Sequence, residues 1–238
     1  MDTVVIIPAR GGSKRVPGKN MALLAGKPLL QYTLKQVKDA GTVGYCYVSS
    51  EDAEIRSFAE SMGVKTIDRP VELAADTSST EDVLIHALDI FAKEGREPEW
   101  IMTLEPTSPF RSHQTIQQFL NEAASLPDEF DCVMSTIERV NYFWRRHDDG
   151  SVEPLFADAP RRQQERKEQG FVLYEEGGGI YVSRVSALRE RYAAGLSAPI
   201  LGKKAKGIPI DSREGFDINT PLDFITAETI AQSLSPAA

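Results

Sequence analysis

The chain has 238 residues, of which 41% are hydrophobic and 26% are charged, and this predicts one large α/β domain with a sizeable core. The formal net charge of −8 at pH 7 argues against a protein whose main partner is nucleic acid, so any basic site must be local. No apolar run approaches the roughly 18 residues of a membrane span, and Asp2 stands where a secretory leader would carry basic residues, so we expect a cytoplasmic protein without a membrane partner.

The first predicted element is a strand that leads into a glycine-rich, basic loop. Val4–Ile7 is a run of four β-branched residues, which is typical of a strand buried on both faces, and Pro8 ends it. The loop contains the following glycines and basic residues: Gly11, Gly12, Gly18, Arg10, Lys14, Arg15 and Lys19. Glycine N–H groups can approach an anion closely, and the cations supply the charge that a polyphosphate needs. The loop therefore predicts a phosphate site, with a solvated basic turn as the alternative.

Two common phosphate-binding motifs do not fit this loop. A Walker A motif needs four residues between its glycines and Ser or Thr after its lysine. Here five residues separate Gly12 from Gly18, and Asn20 follows Lys19. The dinucleotide pattern G-x-G-x-x-G also fails, because Gly11 and Gly12 are adjacent and the next glycine is distant. A P-loop NTPase is therefore disfavoured.

Strands and helices alternate along the first half of the chain. Further strands are predicted at Tyr45–Val48, Val64–Ile67, Trp100–Leu104 and Asp131–Ile137. Helices follow apolar stripes that start near Pro28, Asp52, Ser79 and Ser112. This alternation predicts right-handed βαβ crossovers and an α/β fold with a doubly wound, mostly parallel sheet. Such sheets bind ligands beyond the carboxyl ends of their strands, where the polar loops 68–79 and 105–111 lie.

The pattern changes between residues 138 and 176, which we interpret as an insertion. Aromatic residues stand beside basic ones there, Asp149-Gly150 marks a turn, and the charged run Arg161–Lys167 follows. Taken alone, that run is typical of a solvated face. Beyond the insertion, Gly177–Gly179 allows close backbone approach, and Ile180–Ser183 returns to the sheet.

The chain contains two cysteines, Cys46 and Cys132, which lie far apart in apolar, strand-like segments. Neither has a histidine nearby, and two distant cysteines form neither a zinc-binding pattern nor a disulfide scaffold. We therefore expect both to be buried free thiols that act as small hydrophobic residues.

Several short motifs occur in order along nearly the whole chain. They are Pro8–Lys14 and Pro17–Asn20, then Arg69-Pro70 with Leu73-Ala74 and Asp76-Thr77, then Pro106–Arg111, Arg162–Gln164, Gly178–Tyr181 and Phe216–Thr220. Together they resemble the motifs of the CMP-sialic acid synthetases, the acylneuraminate cytidylyltransferases. The resemblance implies a Rossmann-like nucleotidyltransferase domain over residues 1–238, with residues 138–176 as a dimerisation arm and a homodimer as the assembly.

The reaction that the resemblance implies is transfer of CMP from CTP to the anomeric hydroxyl of a nonulosonic, sialic-acid-like sugar acid. Pyrophosphate is released, and Mg²⁺ is the implied cofactor. Another acidic acceptor remains an alternative, such as a 2-keto-3-deoxy sugar acid or a phosphonate. A nucleotide-binding homologue that has lost transfer activity is the alternative from a different functional class.

The resemblance assigns roles to the residues at the matching motif positions. Catalytic roles fall on Arg10, Lys19 and Asp217. Nucleotide binding falls on Ala9, Arg10, Gly11, Gly12, Lys19, Asn20, Arg69, Ser79 and Thr80. Substrate binding falls on Glu105, Thr107, Ser108, Arg111, Arg162, Gln163 and Tyr181, and the metal ligands are Asp217 and Asn219. Ser79 has the alternative role of a helix N-cap, and Asp217 that of a plain loop carboxylate before the final helix.

This chain departs from the family pattern at two positions. Asn219 stands where the family usually has a second aspartate; its amide oxygen can ligate a cation, but it lacks negative charge and cannot act as a base. The general base is thus unassigned. Glu105 replaces the usual glutamine before Pro-Thr-Ser-Pro. Its carboxylate would repel an acidic sugar unless a cation intervenes, and it could accept hydrogen bonds from hydroxyl, amide or amino groups.

Overall fold

The first strand lies in the middle of the sheet in this computed structural model, which describes residues 1–139, 143–155 and 173–234. The strands are β1 (Thr3–Pro8), β2 (Leu23–Leu24), β3 (Lys27–Pro28), β4 (Cys46–Ser50), β5 (Lys65–Asp68), β6 (Trp100–Leu104), β7 (Cys132–Arg139), β8 (Trp144–Arg146), β9 (Val152–Pro154), β10 (Leu173–Arg184) and β11 (Ala205–Pro209). The helices are α1 (Leu29–Asp39), α2 (Ala53–Ser61), α3 (Thr80–Lys93), α4 (His113–Ala124), α5 (Val185–Ala193) and α6 (Pro221–Leu234).

Seven of the described strands form one sheet in the order β11-β7-β10-β6-β1-β4-β5. β1 pairs in parallel with β4 and with β6, and β4 pairs in parallel with β5. β10 runs antiparallel to both of its neighbours, β6 and β7. The carboxyl ends of β1, β4, β5 and β6 therefore meet at one edge of the sheet. The predicted doubly wound, mostly parallel architecture is confirmed.

The central strand is buried on both faces, as its four β-branched residues predict. Val5 and Ile7 pack on one side among side chains of α1, α2 and α4, whereas Val4 and Ile6 pack on the other side with α3 and α5. All four are fully buried. Each such side chain contributes about 1.5–3 kcal/mol by leaving water, so this strand is a firm support for the loop that follows it.

A third, smaller apolar cluster lies beneath the C-terminal helix α6. It joins Leu24 and Leu29 to Ile218, Ala227 and Ala231. Because Ile218 is fully buried in this cluster, the two polar residues that flank it are held at a fixed place beside the sheet edge. This packing positions the C-terminal motif relative to the basic loop.

Helix starts follow the sequence signals closely. Asp52 accepts hydrogen bonds from two backbone N–H groups of α2, and Ser79 and Asp82 form a capping box at the start of α3. Thr220 and Asp223 exchange the same pair of hydrogen bonds at the start of α6, at 2.7 and 3.2 Å. These caps satisfy N–H groups that the helices cannot pair internally, so each helix begins at a defined residue.

The region predicted to be an insertion begins and ends within the main sheet. β7 extends to Arg139, and β10 starts at Leu173, so the long strands enter the boundaries that the sequence suggested. Between them, β8 and β9 form a separate two-stranded hairpin around the predicted turn at Asp149-Gly150. The charged run 161–167, with the predicted substrate residues Arg162 and Gln163, lies outside the described residues.

Both cysteines are buried free thiols in strands, as predicted. Burial raises the pKa of the Cys46 and Cys132 thiols, which keeps them uncharged. Over the described ranges, no helix combines the length and the apolar character needed to cross a membrane.

Candidate active site

A cleft of about 480 Å³ opens beyond the carboxyl ends of β1, β5 and β6. It brings together residues that are far apart in sequence. The predicted site residues that line it are Arg10, Lys19, Asn20, Arg69, Ser79, Thr80, Glu105 and Thr107. Open α/β sheets bind ligands at this edge, so the position of the cleft agrees with the sequence prediction.

The outer part of the basic loop is held by one carboxylate across the cleft. Arg10 Nη1 donates to Asp76 Oδ1 at 3.1 Å, and Lys14 Nζ lies 2.5 Å from Asp76 Oδ2. The hydrogen bond from Lys14 holds the pKa of the Asp76 carboxyl below its usual range. All three side chains are at least a third exposed. The two cations can therefore exchange this carboxylate for an anionic ligand without crossing a packed core.

Lys19 is half-buried at the cleft, whereas Lys14 and Arg15 are exposed. Its Nζ donates to the backbone oxygen of Ile218 at 2.7 Å, which links the basic loop to the C-terminal motif. Burial lowers the pKa of the Lys19 amine, while the nearby carboxylate of Asp217 opposes that shift. An amine in this position directs its charge at the inner end of the cleft.

Glu51 is a half-buried residue of this site that the sequence analysis missed. Its Oε2 accepts from Arg69 Nη2 at 2.7 Å and from Nε at 3.2 Å, and its Oε1 accepts from the backbone N–H of Gly11 at 2.8 Å. The Glu51 side chain is 13% exposed and that of Arg69 is 3% exposed. Burial alone would raise the pKa of Glu51, but these hydrogen bonds outweigh it and hold that pKa below its usual range.

The position of Glu51 changes what the glycine loop offers to a phosphate. The Gly11 N–H already has an acceptor in the protein, so it does not point freely at a ligand. A Cβ atom on Gly11 would lie 2.3 Å from Asp52 Oδ2, so glycine is required there for close packing. The sequence did contain one signal that Glu51 belongs to the site: Glu51 directly follows the buried strand β4, at the sheet edge where open α/β sheets bind ligands.

Asn20 has one satisfied and one unsatisfied side-chain atom. Its Nδ2 donates to the backbone oxygen of Arg10 at 2.9 Å, while its buried Oδ1 has no hydrogen-bond partner within the part of the chain that the structure describes. The residue is only 6% exposed. A buried acceptor without a donor is costly, so Asn20 is suited to receive a hydrogen bond from a ligand.

Ser79 and Thr80 lie where α3 begins at the wall of the cleft. Ser79 Oγ accepts from the Asp82 N–H at 3.1 Å, so the alternative role as an N-cap is observed. The first turn of the helix still faces the cleft, and its backbone dipole favours an anion or a polar group there. A nucleotide contact by either residue stays a prediction.

The proposed metal residues lie side by side at the inner end of the site. Asn219 Nδ2 donates to Asp217 Oδ2 at 2.5 Å, and Ser108 Oγ donates to Asp217 Oδ1 at 3.5 Å. The segment that contains Asp217 and Asn219 is joined to the loop after β6 by a hydrogen bond, in which the N–H of Ile218 donates to the backbone oxygen of Thr107 at 2.9 Å. Thr107 Oγ1 is buried without a partner in the described ranges.

This donor set is compatible with Mg²⁺. Proteins usually hold Mg²⁺ through one or two carboxylates and leave its other positions to waters and substrate phosphates. Asp217 supplies one carboxylate beside the loop after β6. The amide nitrogen of Asn219 faces that carboxylate, so its oxygen would have to turn to ligate a cation. Residues 1–139, 143–155 and 173–234 contain no group of three or more Asp, Glu, His or Cys side chains placed to hold a metal ion.

Glu105 follows the strand β6 and has an unusual environment for a carboxylate. Its backbone N–H donates to Gly179 O at 3.0 Å. Burial, followed by the negative charge of Asp217, raises the pKa of Glu105 to about 7, although Arg111 and Lys19 oppose the shift. Within the described ranges, the carboxylate accepts no hydrogen bond and forms no ion pair.

Arg111 lies beneath the site and does not line the cleft. It is 3% exposed, and its Nη1 donates to the backbone oxygens of Gly178 at 2.7 Å and Gly179 at 3.2 Å. Its other donors go to Thr33 Oγ1 at 3.0 Å and Gln36 Oε1 at 3.3 Å. Burial lowers the pKa of this guanidinium to about 10. In this geometry Arg111 supports the glycine segment behind Glu105.

Four further predicted residues do not line the cleft: Ala9, Gly12, Ser108 and Tyr181. Ala9 is fully buried and Gly12 is exposed. Ser108 is fully buried and contacts Asp217 through its hydroxyl. Tyr181 lies on β10 and donates to Glu176, away from the basic loop. Substrate contacts by these residues stay predictions.

Comparison with known proteins places the chain in a family. A profile of the cytidylyltransferase family matches residues 4–178. The chain is 29% identical over 231 residues to the N-acylneuraminate cytidylyltransferase of Escherichia coli O18:K1:H7, which covers 96% of this chain and 52% of that protein. It is 29% identical over 238 residues to the CMP-N,N'-diacetyllegionaminic acid synthase of Legionella pneumophila, which covers 98% and 97%.

The lengths and folds of the relatives limit which properties can be compared with this chain. The chain spans about half the length of the N-acylneuraminate cytidylyltransferases that it matches, and nearly all of the Legionella pneumophila protein. A solved structure described as CMP:2-keto-3-deoxy-manno-octonic acid synthetase complexed with CTP has a TM-score of 0.70 at 18% identity, covering 98% of this chain and 100% of that one. At this identity the likeness shows the fold alone, and it confirms the Rossmann-like prediction.

The resemblance to the CMP-sialic acid synthetases is confirmed by relatives whose matches cover 96% and 98% of the chain. With a profile match over residues 4–178, the chain belongs to the cytidylyltransferase family.

Proposed function

We propose that this protein transfers CMP from CTP to the anomeric hydroxyl of a nonulosonic acid and releases pyrophosphate. The observation that carries this proposal is one cleft in which Asn20 and Arg69 lie near the basic residues Arg10 and Lys19, with Asp217 beyond them. Such a cleft offers hydrogen bonds to a nucleoside at one part and positive charge to a triphosphate at another. The names of the relatives supply the nonulosonic acid as the acceptor class.

The proposed reaction joins the anomeric oxygen to the α-phosphorus of CTP. The bond from that phosphorus to the bridging oxygen breaks, and pyrophosphate leaves with the bonding electrons. The proton of the attacking hydroxyl passes to a base that is not assigned. Arg10 and Lys19 hold the triphosphate and offset the charge that grows on the leaving group. Asn20 and Arg69 orient the cytidine, which fixes the α-phosphorus in line with the acceptor.

Mg²⁺ belongs to this proposal as a cofactor. When bound, it offsets the charge of the triphosphate and orients its oxygens, which is the chemistry that phosphoryl and nucleotidyl transfer require. Asp217 is the residue that would hold it. Lys19 keeps the segment beside Asp217 in place through its hydrogen bond to Ile218.

A homodimer and a cytoplasmic location are also part of the proposal. The β8–β9 hairpin exposes Phe143, Trp144 and Val152 at 38%, 48% and 57% of their surfaces. Exposed aromatic and aliphatic side chains of this size suit an interface better than open solvent. Light scattering at micromolar concentration should give the mass of a dimer. A fully active monomer would exclude this assembly.

The test of the activity is pyrophosphate release with each of the four NTPs and a panel of acceptors. The panel contains sialic, legionaminic and pseudaminic acids, a 2-keto-3-deoxy sugar acid and a phosphonate. We expect release with CTP and a nonulosonic acid. Release with CTP and only the 2-keto-3-deoxy sugar acid or the phosphonate would show that the acceptor belongs to that class and is not a nonulosonic acid. No release with any combination, together with tight CTP binding, would indicate an inactive homologue.

The same assay tests the residues assigned to the triphosphate. Arg10→Ala and Lys19→Ala should lower turnover far more than they lower the free energy of unfolding. Lys27→Ala is the matched control, because Lys27 is exposed on the β2–β3 hairpin and does not line the cleft. Normal turnover in soluble Arg10 and Lys19 variants would remove both residues from the site.

A further inference from the structure

Glu51 lies between two parts of the cleft because of the order of the parallel strands. β4 lies between β1 and β5, and Ser50 at its end is in register with Asp68 at the end of β5. The next residues, Glu51 and Arg69, therefore stand side by side, and the Arg69 N–H donates to the Ser50 oxygen at 3.2 Å. On the other side, the loop after β1 brings the Gly11 N–H to 2.8 Å from Glu51 Oε1.

The Glu51 carboxylate occupies one edge of the Arg69 guanidinium and leaves another edge open. Nε and Nη2 of Arg69 donate to the same atom, Glu51 Oε2, at 3.2 and 2.7 Å. Nη1 has no acceptor among residues 1–139, 143–155 and 173–234. Arg69 lines the cleft, although its side chain is only 3% exposed. The donors that Glu51 leaves over are therefore the ones that a ligand in the cleft can use.

The open edge of a guanidinium selects a base by its acceptors, because Arg can only donate hydrogen bonds. Cytosine presents two neighbouring acceptors, O2 and N3. Uracil presents O2 beside an N3–H, which would place two donors against each other, and an unsatisfied donor is costly in a buried site. A guanidinium held in one orientation therefore favours cytosine, whereas one that is free to turn can avoid the N3–H. Selectivity of this kind depends on what holds the guanidinium.

We propose that Glu51 is a positioning residue for base selection: by holding Nε and Nη2 of Arg69, it fixes the donor edge that distinguishes cytosine from uracil. This inference rests on the proposed cytidylyltransferase function, in which Arg69 orients the cytidine, and it adds the residue that fixes Arg69. Glu51 is not among the described residues that line the cleft. It therefore acts through Arg69 and not by contact with the nucleotide.

The position of the Glu51 carboxylate is itself well defined. Ser50 ends β4, and Asp52 caps α2, so the backbone on both sides of Glu51 belongs to regular structure. The Asp52 N–H also donates to Ser50 Oγ at 3.1 Å, which closes the turn between them. The hydrogen bond from the Gly11 N–H then sets the direction of the side chain. A residue that positions another must be held by its own neighbours in this way.

The test compares the binding of CTP and UTP by calorimetry, with Mg²⁺ and without acceptor, so that it measures base selectivity and not turnover. Wild type should bind CTP at least about 100-fold more tightly than UTP. Glu51→Gln should lower this ratio by about 10-fold or more, mainly by weakening CTP binding. The glutamine has a single oxygen, so when that oxygen faces one of the two donors, Arg69 or Gly11, its amide nitrogen faces the other.

The ratio of the two affinities separates the contact with Arg69 from the contact with Gly11. Loss of the Gly11 contact would weaken both nucleotides alike, because their triphosphates are identical. Arg69→Ala should lower the ratio at least as much as Glu51→Gln does. Adding Glu51→Gln to Arg69→Ala should then change the ratio no further, because Glu51 acts through Arg69. A further fall in the double variant would overturn the proposal.

Asp68→Asn is the matched control. It removes a carboxylate next to Arg69 in the sequence, but one that pairs with Arg56 at 2.8 Å and is 74% exposed. It should leave the ratio of CTP to UTP affinity unchanged. A fall as large as that in Glu51→Gln would show that any loss of negative charge at this sheet edge alters selectivity, and the specific role of Glu51 would be wrong.

The remaining outcomes separate this inference from the proposed function. Circular dichroism first shows that each variant is folded under the conditions of the titration. If Glu51→Gln does not fold, Glu51→Asp takes its place: its shorter carboxylate should not reach Arg69 and Gly11 together, so the ratio should fall although the charge is kept. An unchanged ratio in the folded variant would overturn the role in base selection and leave the cytidylyltransferase function standing. A wild-type protein that binds neither nucleotide, or binds UTP as tightly as CTP, would instead refute the proposed function.

Discussion

The ion pair between the half-buried Glu51 and the buried Arg69 gives the most direct test of how this site is held together. The change to make is Glu51→Gln, which keeps the shape of the side chain and removes its charge. Arg69 is 3% exposed, so its guanidinium cannot turn to water when the carboxylate is lost. The Gly11 N–H loses a charged acceptor in the same variant. We expect both the stability of the fold and the shape of the basic loop to suffer.

The expected magnitude follows from burial. Removing one partner of a buried ion pair costs about 3–5 kcal/mol, since an unpaired charge is left inside the protein. The glutamine oxygen can still accept one hydrogen bond, so we expect a loss of about 3 kcal/mol, at the low end of that range. Arg56 and Asp68 form the matched control: they lie 2.8 Å apart, but Asp68 is 74% exposed. Asp68→Asn should therefore cost less than about 1 kcal/mol.

The assay is urea unfolding at pH 7.5, followed by circular dichroism. With a slope of about 3 kcal/mol per molar urea, the midpoint of Glu51→Gln should fall by about 1 M. Asp68→Asn should unfold close to wild type. A Glu51→Gln protein that loses less than about 1 kcal/mol would mean that Arg69 finds other partners. Glu51 would then not be the residue that holds Arg69 and the basic loop in place.

Three further predictions concern the same cleft. The pKa of Glu105 is raised from 4.5 to about 7, so the folded state binds more protons than the unfolded state between these pH values. In metal-free buffer, the contribution of the protonated Glu105 to folding stability is present below about pH 4.5 and is lost as the pH rises through 7. Glu105→Gln should therefore gain up to about 3 kcal/mol relative to wild type between pH 5 and pH 8 in urea unfolding, and no gain would contradict the assigned environment. Gly179→Ala should lower the free energy of unfolding by about 1–3 kcal/mol, because Gly179 has a φ of +54° and the new Cβ would press on Glu105. Gly44→Ala is the control and should change stability little, because a Cβ there would have nothing within 4 Å. Equal losses in the two variants would show that the contact with Glu105 does not limit stability. Asp76→Asn should tighten CTP binding, measured by calorimetry, by about 5-fold, because Arg10 and Lys14 no longer have to exchange a carboxylate for phosphate. Weaker binding would show instead that Asp76 orders the loop for the nucleotide.

Most of the fold could be predicted from local signals. The four β-branched residues of β1 mark a strand covered on both faces, and the caps at Asp52, Ser79 and Ser112 mark helix starts that the structure confirms. These signals are local. A cap satisfies the N–H groups of its own helix, and the pattern of apolar residues along a strand reflects which faces of that strand are buried. The alternation of elements then leaves few topologies to choose from.

The partners within the site could not be predicted in the same way. Glu51 pairs with Arg69, which lies 18 residues away, and with Gly11, which lies 40 residues away. A sequence shows that a glutamate follows a strand, but it does not show which donor meets it across the sheet edge. The same limit applies to Arg111, which is a cation in a predicted binding loop yet lies beneath that loop with its donors on backbone and side-chain oxygens. Only packing decides whether such a charge faces the ligand or supports the loop.

The departures from the family pattern show the same limit most clearly. Taken one motif at a time, Asn219 indicates a weakened metal site and Glu105 indicates a changed acceptor. The structure joins the two motifs, because the hydrogen bond from Ser108 to Asp217 spans 109 residues of sequence. That the loop after β6 and the C-terminal motif meet is a result of packing, and neither motif shows it by itself.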